Sequence, residues 1–204
     1  MSSGFLRVSG GSTLATFGVV EALLLRSLAA QLIELLADDQ PSAARPVDPL
    51  ASLLDFQGPV DPPEDPVLAR LLPDAYRDDE EAAADFRRYT EQGLREGKVG
   101  NARVVIDTLH DGGLPDADEV EELADDDRDN VVEVLLDADR SQSWLRCLTD
   151  LRLALATRLG IEDDDDRRWE RLPDDDPRAQ MYDIYGWLGY LQETLVLALP
   201  RPVG

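Results

Sequence analysis

The stretch "VVEVLLDADRSQSWLRCLTDLRLALATRLG", residues 131–160, decides the fold, because a short β-rich run leads directly into a long amphipathic segment. Valine and leucine dominate 131–136 and alternate weakly with polar positions, which predicts a strand. A helical stripe follows with spacings of 4, 3, 4 and 4, and Gly160 is a typical helix-ending residue. We therefore predict a helix over about 138–160 whose buried stripe consists of Trp144, Leu148, Leu151, Leu155 and Leu159.

A second strand-then-helix unit opens the chain. In "FLRVSGGSTLATF", residues 5–17, two short alternating runs are joined by Ser9-Gly10-Gly11-Ser12, which predicts a β-hairpin. A leucine stripe then predicts a helix over about 19–37, and the apolar C-terminal segment predicts another over about 178–199. The fold class that follows is α+β and mostly helical: a core of about five helices with a small antiparallel sheet, formed by the N-terminal hairpin and the strand near 131–136.

The middle of the chain, from about residue 67 to 110, also has helical periodicity. Ala82, Phe86, Tyr89 and Gly93 would share one face, and we expect that face to pack. Glycine destabilises a helix interior, so we expect a break or a bend over 97–100, where Gly97 and Gly100 stand close together.

The length of 204 residues suits one domain, 1–204, with elaborated connections. Six prolines make 38–65 a linker, with one short helical turn near 49–55. Aspartate and glutamate dominate 111–130 and 161–177, and such segments bury too little apolar area to form a core. We interpret both as solvated acidic loops, and we favour this over calcium sites because the aspartate runs lack the EF-hand spacing.

The net charge is −23, from 43 acidic and 20 basic residues. A field of this sign repels phosphate, so direct DNA binding and attachment to an anionic membrane are both disfavoured. The apolar runs near each end are interrupted by polar residues, the N-terminus does not resemble a signal peptide, and one cysteine excludes an internal disulfide. We expect a cytoplasmic protein; arginine-rich, lysine-poor composition indicates a GC-rich bacterium or a halophile.

Cys147 is the chain's single cysteine, and its position raises the question of redox chemistry. It lies about 80° from the centre of the 144–159 stripe, which is a boundary position at the edge of the core. A reactive thiol needs close cationic help, and no second cysteine offers a resolving partner. We interpret Cys147 as a structural residue. The redox route left open is a mixed disulfide or a Cys147–Cys147 dimer through the face carrying Ser143 and Ala154.

One segment departs from the acidity of the chain. Residues 86–103, "FRRYTEQGLREGKVGNAR", have a net charge of +3, and their basic residues are interleaved with Phe86 and Tyr89. Such a pattern could contact nucleic acid or a protein partner. The alternative is that the segment pairs with the chain's own acidic loops. The candidate contact residues are Arg87, Arg88, Arg95, Lys98 and Arg103.

Motifs for catalysis or cofactor binding are absent from the sequence. His110 is the only histidine, and there is no CxxC, no GxSxG and no phosphate-binding loop. We predict no enzyme activity, no cofactor and no metal, leaving open an enzyme that uses carboxylates and arginines in a cleft. The C-terminal helix is apolar nearly all round and contains Gly186 and Gly189; we expect core packing, with a homodimer contact as the alternative.

Three blocks together resemble a known family: "RLLPDAYRDDEEAAADFRRYTEQGLREGKVGNA", "SWLRCLTDLRLALATRLGI" and "YDIYGWLGYLQETLV". The family is actinobacterial, was long catalogued as a domain of unknown function, and is named for the oxidative-stress transcriptional regulator AosR. The resemblance implies a cytoplasmic regulator that acts with a stress sigma factor. The family's switch uses two cysteines separated by three residues. Here Ser143 and Leu151 stand at those distances from Cys147, so no such pair exists.

These observations lead to one functional hypothesis and one alternative. We expect a non-enzymatic transcriptional regulator of the oxidative-stress response that acts mainly through protein contacts, with RNA polymerase or a stress sigma factor as the partner. The alternative is an adaptor or scaffold for proteolysis or complex assembly, which would use the same apolar helix faces.

Overall fold

The computed structural model describes residues 3–38, 61–76, 78–115, 131–161, 169, 172–173 and 175–199. Three strands occur there: β1 (Ser3–Arg7), β2 (Thr13–Gly18) and β3 (Val131–Leu136). The five helices of these ranges are α1 (Val19–Asp38), α2 (Pro66–Leu71), α3 (Glu80–Asp111), α4 (Ala138–Leu159) and α5 (Pro177–Ala198). The α+β fold class, the hairpin, the third strand and the helices at the two ends of the chain are thus confirmed. The short turn near 49–55, most of the 38–65 linker and most of both acidic loops lie outside the described residues.

The sheet is antiparallel in the order β1-β2-β3. Strands β2 and β3 pair without interruption from Thr13 opposite Leu136 to Gly18 opposite Val131. Their alternation places Ala15, Phe17 and the three even-numbered residues of β3 on the buried face. The turn of the hairpin needs positive φ at two successive residues, and Gly10 and Gly11 supply φ of 91° and 84° without steric cost.

At both edges of the sheet, strand N–H groups donate to atoms of a helix or of the residue that follows one. At β1, the Gly4 N–H donates to the Tyr190 hydroxyl and the Phe5 N–H donates to Thr194 Oγ1, so α5 covers this edge. At β3, the Glu133 N–H donates to the Gly112 carbonyl just after α3, at 3.0 Å. Unpaired edge groups can recruit further strands, and here these groups are satisfied within the chain.

Aspartate is the N-cap residue of four helices, so some of the chain's acidic residues stabilise helix ends. At each position a side-chain oxygen accepts a backbone N–H from the first turn of its helix, as an N-cap does. The α4 helix ends as predicted, because Gly160 adopts φ of 68° and Ile161 N–H donates to Ala156 O. The capping residues are Asp65 for α2, Asp79 for α3, Asp137 for α4 and Asp176 for α5.

One hydrophobic cluster draws residues from every described strand and helix. Trp144 lies at its centre: its ring stacks on Phe17 at 6.0 Å and meets Phe5 edge-on at 5.4 Å. Its Nε1–H donates to Thr108 Oγ1 at 2.8 Å, which joins α4 to α3. Nothing in the described helices has the length and apolarity that a bilayer crossing needs.

The middle helices differ from the sequence prediction in three ways. Helix α2 ends at Leu71 and α3 begins at Glu80, because Leu72 precedes Pro73 and leaves the helical region. Helix α3 is unbroken across Gly97 and Gly100, so of the expected break or bend the break is wrong. The segments of α3 before and after the glycines pack against the rest of the fold, and this packing outweighs the low helix propensity of glycine.

The expected packing face of α3 is also wrong in its first half, whereas Val105 and Leu109, which the same pattern places on this face beyond the glycines, are buried. Tyr89 and Gly93 are exposed, and the buried positions begin with Ala83, Arg87, Glu91 and Arg95. Ion pairs, described below, make this burial of charged side chains tolerable.

The glycines of α3 and of its end allow a direct stability test. No atom lies within 4 Å of a Cβ added at Gly97, so Gly97→Ala should raise the free energy of unfolding by about 0.5–1 kcal/mol. A Cβ at Gly112 would lie 2.6 Å from the Glu133 carbonyl oxygen, so Gly112→Ala should lower it by roughly 1–3 kcal/mol. Urea unfolding followed by circular dichroism measures both; effects of the same sign would contradict this placement of β3 against α3.

Candidate functional site between helices α3 and α4

Two of the five candidate basic residues are buried in ion pairs on one stripe of α3. Arg95 contacts Glu91 at 2.7 Å and donates from Nη1 to the Leu36 carbonyl at 2.9 Å. Leu36 lies in the last turn of α1, where carbonyls lack helical partners and a cation is favourable. Arg87 pairs with Asp74, which fastens the α2–α3 connection to α3. Both guanidinium groups therefore serve the fold.

The other three candidates differ in exposure. Arg88 and Arg103 are exposed on α3, whereas the Lys98 side chain is only 19% exposed. Lys98 Nζ contacts Asp150 Oδ1 of α4 at 2.6 Å. Arg87, Arg95 and Lys98 thus pair with acids of the chain itself, but not with the acidic loops that the alternative named. Two of their partners, Glu91 and Asp150, stand on helices and not in the acidic loops.

Asp150 connects the basic segment to the cysteine. It is 5% exposed, and burial raises the pKa of its carboxyl, although the hydrogen bond and the charge of Lys98 act in the opposite direction. Cys147 lies one turn earlier on α4. Burial, and secondarily the charge of Asp150, raise the pKa of the Cys147 thiol to about 12. The structure therefore brings Lys98 and Cys147 to the same carboxylate.

Cys147 is inside the core and not at its edge. Only 1% of the residue is exposed, because α3 also packs against this side of α4 and widens the buried surface beyond the leucine stripe. A thiol with so high a pKa is protonated at neutral pH and is a poor nucleophile. In this packing the sulfur is also shielded from a second molecule, which removes the basis for a Cys147–Cys147 bridge.

A recess of about 290 Å³ opens between α3 and α4 beside this ion pair. No atom lies within 4 Å of a Cβ added at Gly93 or Gly97, so the missing side chains leave the recess open. Its lining offers two cationic groups, one buried carboxylate and an exposed apolar edge at Leu94. The residues of this α3–α4 recess are Gly93, Leu94, Gly97, Lys98, Asn101, Arg146, Thr149 and Asp150.

This arrangement suits the binding of a ligand or a partner. The nearby thiol is protonated, and His110 is exposed at the far end of α3. Across the described ranges, no three histidine, cysteine or acidic side chains cluster to hold a metal ion.

The sequence analysis missed Asp150. A usable signal existed, because Asp150 directly precedes Leu151 of the buried stripe and lies one turn after Cys147. An acidic residue on the packing side of a helix indicates a buried cation on the neighbouring element. The identity of that cation, Lys98, depends on how α3 and α4 pack.

Removal of the Lys98 charge should produce a pH-dependent loss of stability. Lys98→Met leaves the Asp150 carboxylate buried without its cation, so the free energy of unfolding at about pH 7 should fall by roughly 2–3 kcal/mol. The pKa of Asp150 is already raised and should rise further in the variant. Between the unfolded value of 3.8 and that raised pKa, the folded state binds the proton more tightly, so lowering the pH stabilises the variant.

The measurement is chemical unfolding of both proteins from about pH 7 to about pH 5. We expect the difference between wild type and Lys98→Met to shrink as the pH falls. Arg103→Met, which removes an exposed cation from the same helix, should show a small difference that does not change over this range. An equally flat difference for Lys98→Met would disprove the coupling to Asp150.

Thiol labelling tests the burial of Cys147. Native protein should react with iodoacetamide at least about a hundredfold more slowly than urea-unfolded protein, because both shielding and the raised pKa suppress thiolate attack. Intact mass over time gives both rates. The control is Gln142→Cys in a Cys147→Ala background, which presents an exposed thiol on the same helix and should react rapidly when folded. Native labelling of Cys147 at the control's rate would show that the core opens readily.

Comparison with known proteins identifies a family for this chain. Residues 2–199 match the family described as "Domain of unknown function (DUF2017)". The chain is 37% identical over 187 residues to "Oxidative stress regulator AosR" of Mycobacterium tuberculosis (strain H37Rv), covering 88% of this chain and 78% of the relative. The Mycobacterium bovis protein of the same name has the same identity and coverage, and a Mycobacterium leprae relative is 32% identical over 182 residues.

No solved structure matches the chain. The family match extends over nearly every residue, and the curated relatives exceed 30% identity over most of their length. The chain therefore belongs to the DUF2017 family, and it is similar to mycobacterial proteins named oxidative stress regulator AosR.

Proposed function

We propose that this protein is a non-enzymatic regulator of the oxidative-stress response, and that it acts on transcription mainly through contacts with RNA polymerase or a stress sigma factor in the cytoplasm. The observation that carries the proposal is the similarity, over 88% of the chain, to proteins named oxidative stress regulators. The name of those relatives supports a role in the stress response, and the charges and surfaces of this chain favour contacts with proteins.

Charge favours a protein partner over DNA. Phosphate contacts by lysine and arginine provide most non-specific DNA affinity, and the net charge of −23 opposes them. Within the one basic segment, Arg87, Arg95 and Lys98 are held by carboxylates of the chain itself. Arg88 and Arg103 remain exposed on α3, where they could contribute to a protein contact.

The state of Cys147 argues against direct sensing by a disulfide. The sequence holds one cysteine, so the two-cysteine switch that the family resemblance implied has no counterpart here. The thiol is buried and its pKa is about 12. We infer that the stress signal reaches this protein through its binding partner.

The α3–α4 recess is the contact surface that we favour for this partner. Three glycines at positions 93, 97 and 100 weaken α3, yet no side chain of the described residues fills the space beside them. Their lack of side chains would allow another chain to approach the α3 backbone closely. Arg146 favours an acidic group on that chain, and Leu94, 41% exposed, favours an apolar neighbour.

The test is affinity purification of the tagged full-length protein from its native cell after peroxide treatment, followed by binding to purified RNA polymerase with the recovered sigma factor. Gly97→Leu should fill the α3–α4 recess and lower partner recovery by about tenfold, because the partner can no longer approach α3. The melting temperature should not fall, since the added side chain meets no atom within 4 Å of its Cβ.

Gln142→Leu adds the same side chain at an exposed position of α4 outside the recess and should bind like wild type. Recovery of a protease complex in place of RNA polymerase would favour the adaptor alternative. Tight binding of random duplex DNA with a steep salt dependence would indicate that the protein contacts DNA directly. Either result would sink the proposal.

A further inference from the structure

A second recess, of about 640 Å³, lies on the outer side of α5. The inner side of this helix contributes Leu188, Leu191 and Leu195 to the core, whereas Val196 and Leu197 are 52% and 71% exposed. The α5 recess is lined by Arg152 of α4 and by the outward residues of α5, among them Gly186, Gly189, Glu193, Val196 and Leu197.

Arg152 lies across α5, and no carboxylate of the described residues pairs with it. Its guanidinium donates to Gln192 Oε1 and to the Tyr185 hydroxyl, and its Cζ lies 5.0 Å from the centre of the Tyr185 ring. A Cβ at Gly189 would approach Arg152 Cζ and Nε to 3.5 Å, so the absence of a side chain at Gly189 leaves room for the guanidinium on the helix. The Nε atom is buried, and no acceptor within the described part of the chain bonds to it.

Glu193 lines the same recess, is exposed, and also lacks an ion pair among the described residues. One cation and one anion thus share this surface without pairing with each other or with any other described group. Their charges cancel, although the protein as a whole carries −23. The α5 recess is therefore a surface on which two copies of this acidic chain could meet without local repulsion.

A two-fold contact needs a patch that is complementary to itself. The α5 recess satisfies this requirement, because it presents a carboxylate, a guanidinium and apolar side chains together. When two α5 helices cross antiparallel at Gly189, Glu193 lies about 6 Å along the helix from the crossing point. It then faces residues 185–189 of the other copy, where that copy's Arg152 lies across the helix. Gly186, beside which the structure places no atom within 4 Å, allows the two backbones to come close.

We propose that this protein forms a homodimer through the α5 recess, with Glu193 of each copy binding Arg152 of the other and with Val196 and Leu197 of each copy packing against the N-terminal half of the other copy's α5. An unrelated partner would have to supply an anion, a cation and an apolar surface in this same arrangement, and a second copy supplies all three. The homodimer does not depend on the proposed function, because α5 and the α3–α4 recess contribute separate contact residues.

Sedimentation velocity of the full-length chain over a concentration series tests the dimer. Wild type should pass from monomer to dimer with increasing concentration. Glu193→Arg should raise the dimer Kd by at least about tenfold, because it places two arginines against each other in both halves of the contact. Asp183→Arg makes the same charge change at an exposed position of α5 that does not line the recess, and it should dimerise like wild type.

Cross-linking supplies a second readout that does not depend on a disruptive variant. A crossing at Gly189 places the two residues 186 about 9 Å apart along the helix axes. Gly186→Cys should therefore form a covalent dimer with a short bis-maleimide, and the buried Cys147 should not compete. Gln142→Cys should form no covalent dimer with the same reagent, because position 142 lies outside the contact. The proposal is overturned if the chain is monomeric at every concentration, if Glu193→Arg dimerises like Asp183→Arg, or if the two cysteine variants cross-link equally.

Discussion

The indole of Trp144 joins the three parts of this structure, and the other contacts depend on where it lies. One face of the ring stacks on Phe17 of β2, its edge meets Phe5 of β1, and its N–H donates to Thr108 of α3. A buried indole needs an acceptor, and Thr108 accepts while its own hydroxyl donates to the Val104 carbonyl at 2.7 Å. The sheet, α3 and α4 therefore have one mutual arrangement that satisfies this side chain.

That arrangement also determines which charges are buried. With α4 held by Trp144, the next turn of the helix brings Cys147 and Asp150 against α3, where Lys98 neutralises the carboxylate. One turn earlier on α3, Arg95 reaches the end of α1. Buried ion pairs contribute little net stability, but removal of one partner is costly, so these pairs penalise any other register of α1, α3 and α4.

The two recesses have a common origin in glycine. Gly93 and Gly97 open the α3–α4 recess, and Gly186 and Gly189 open the α5 recess, while the opposite side of each helix packs into the core. Ordinary side chains at these positions would strengthen both helices. Glycine at these positions fits the contacts that we propose for the two recesses.

The sequence by itself determined the elements whose ends have local causes. Gly10 and Gly11 specify the hairpin, Asp137 and Gly160 bound α4, and alternation identifies β3, since each signal acts over a few residues. Only the tertiary structure decided the burial of Cys147, the charged packing face of α3 and the continuity of that helix through Gly97. Each of these follows from what lies on the neighbouring helix: Lys98 opposite Asp150, Arg95 opposite the end of α1. Periodicity reports which side of a helix is apolar, but a charged side can be buried as well when another element brings the opposite charge, and that depends on packing between residues far apart in the chain.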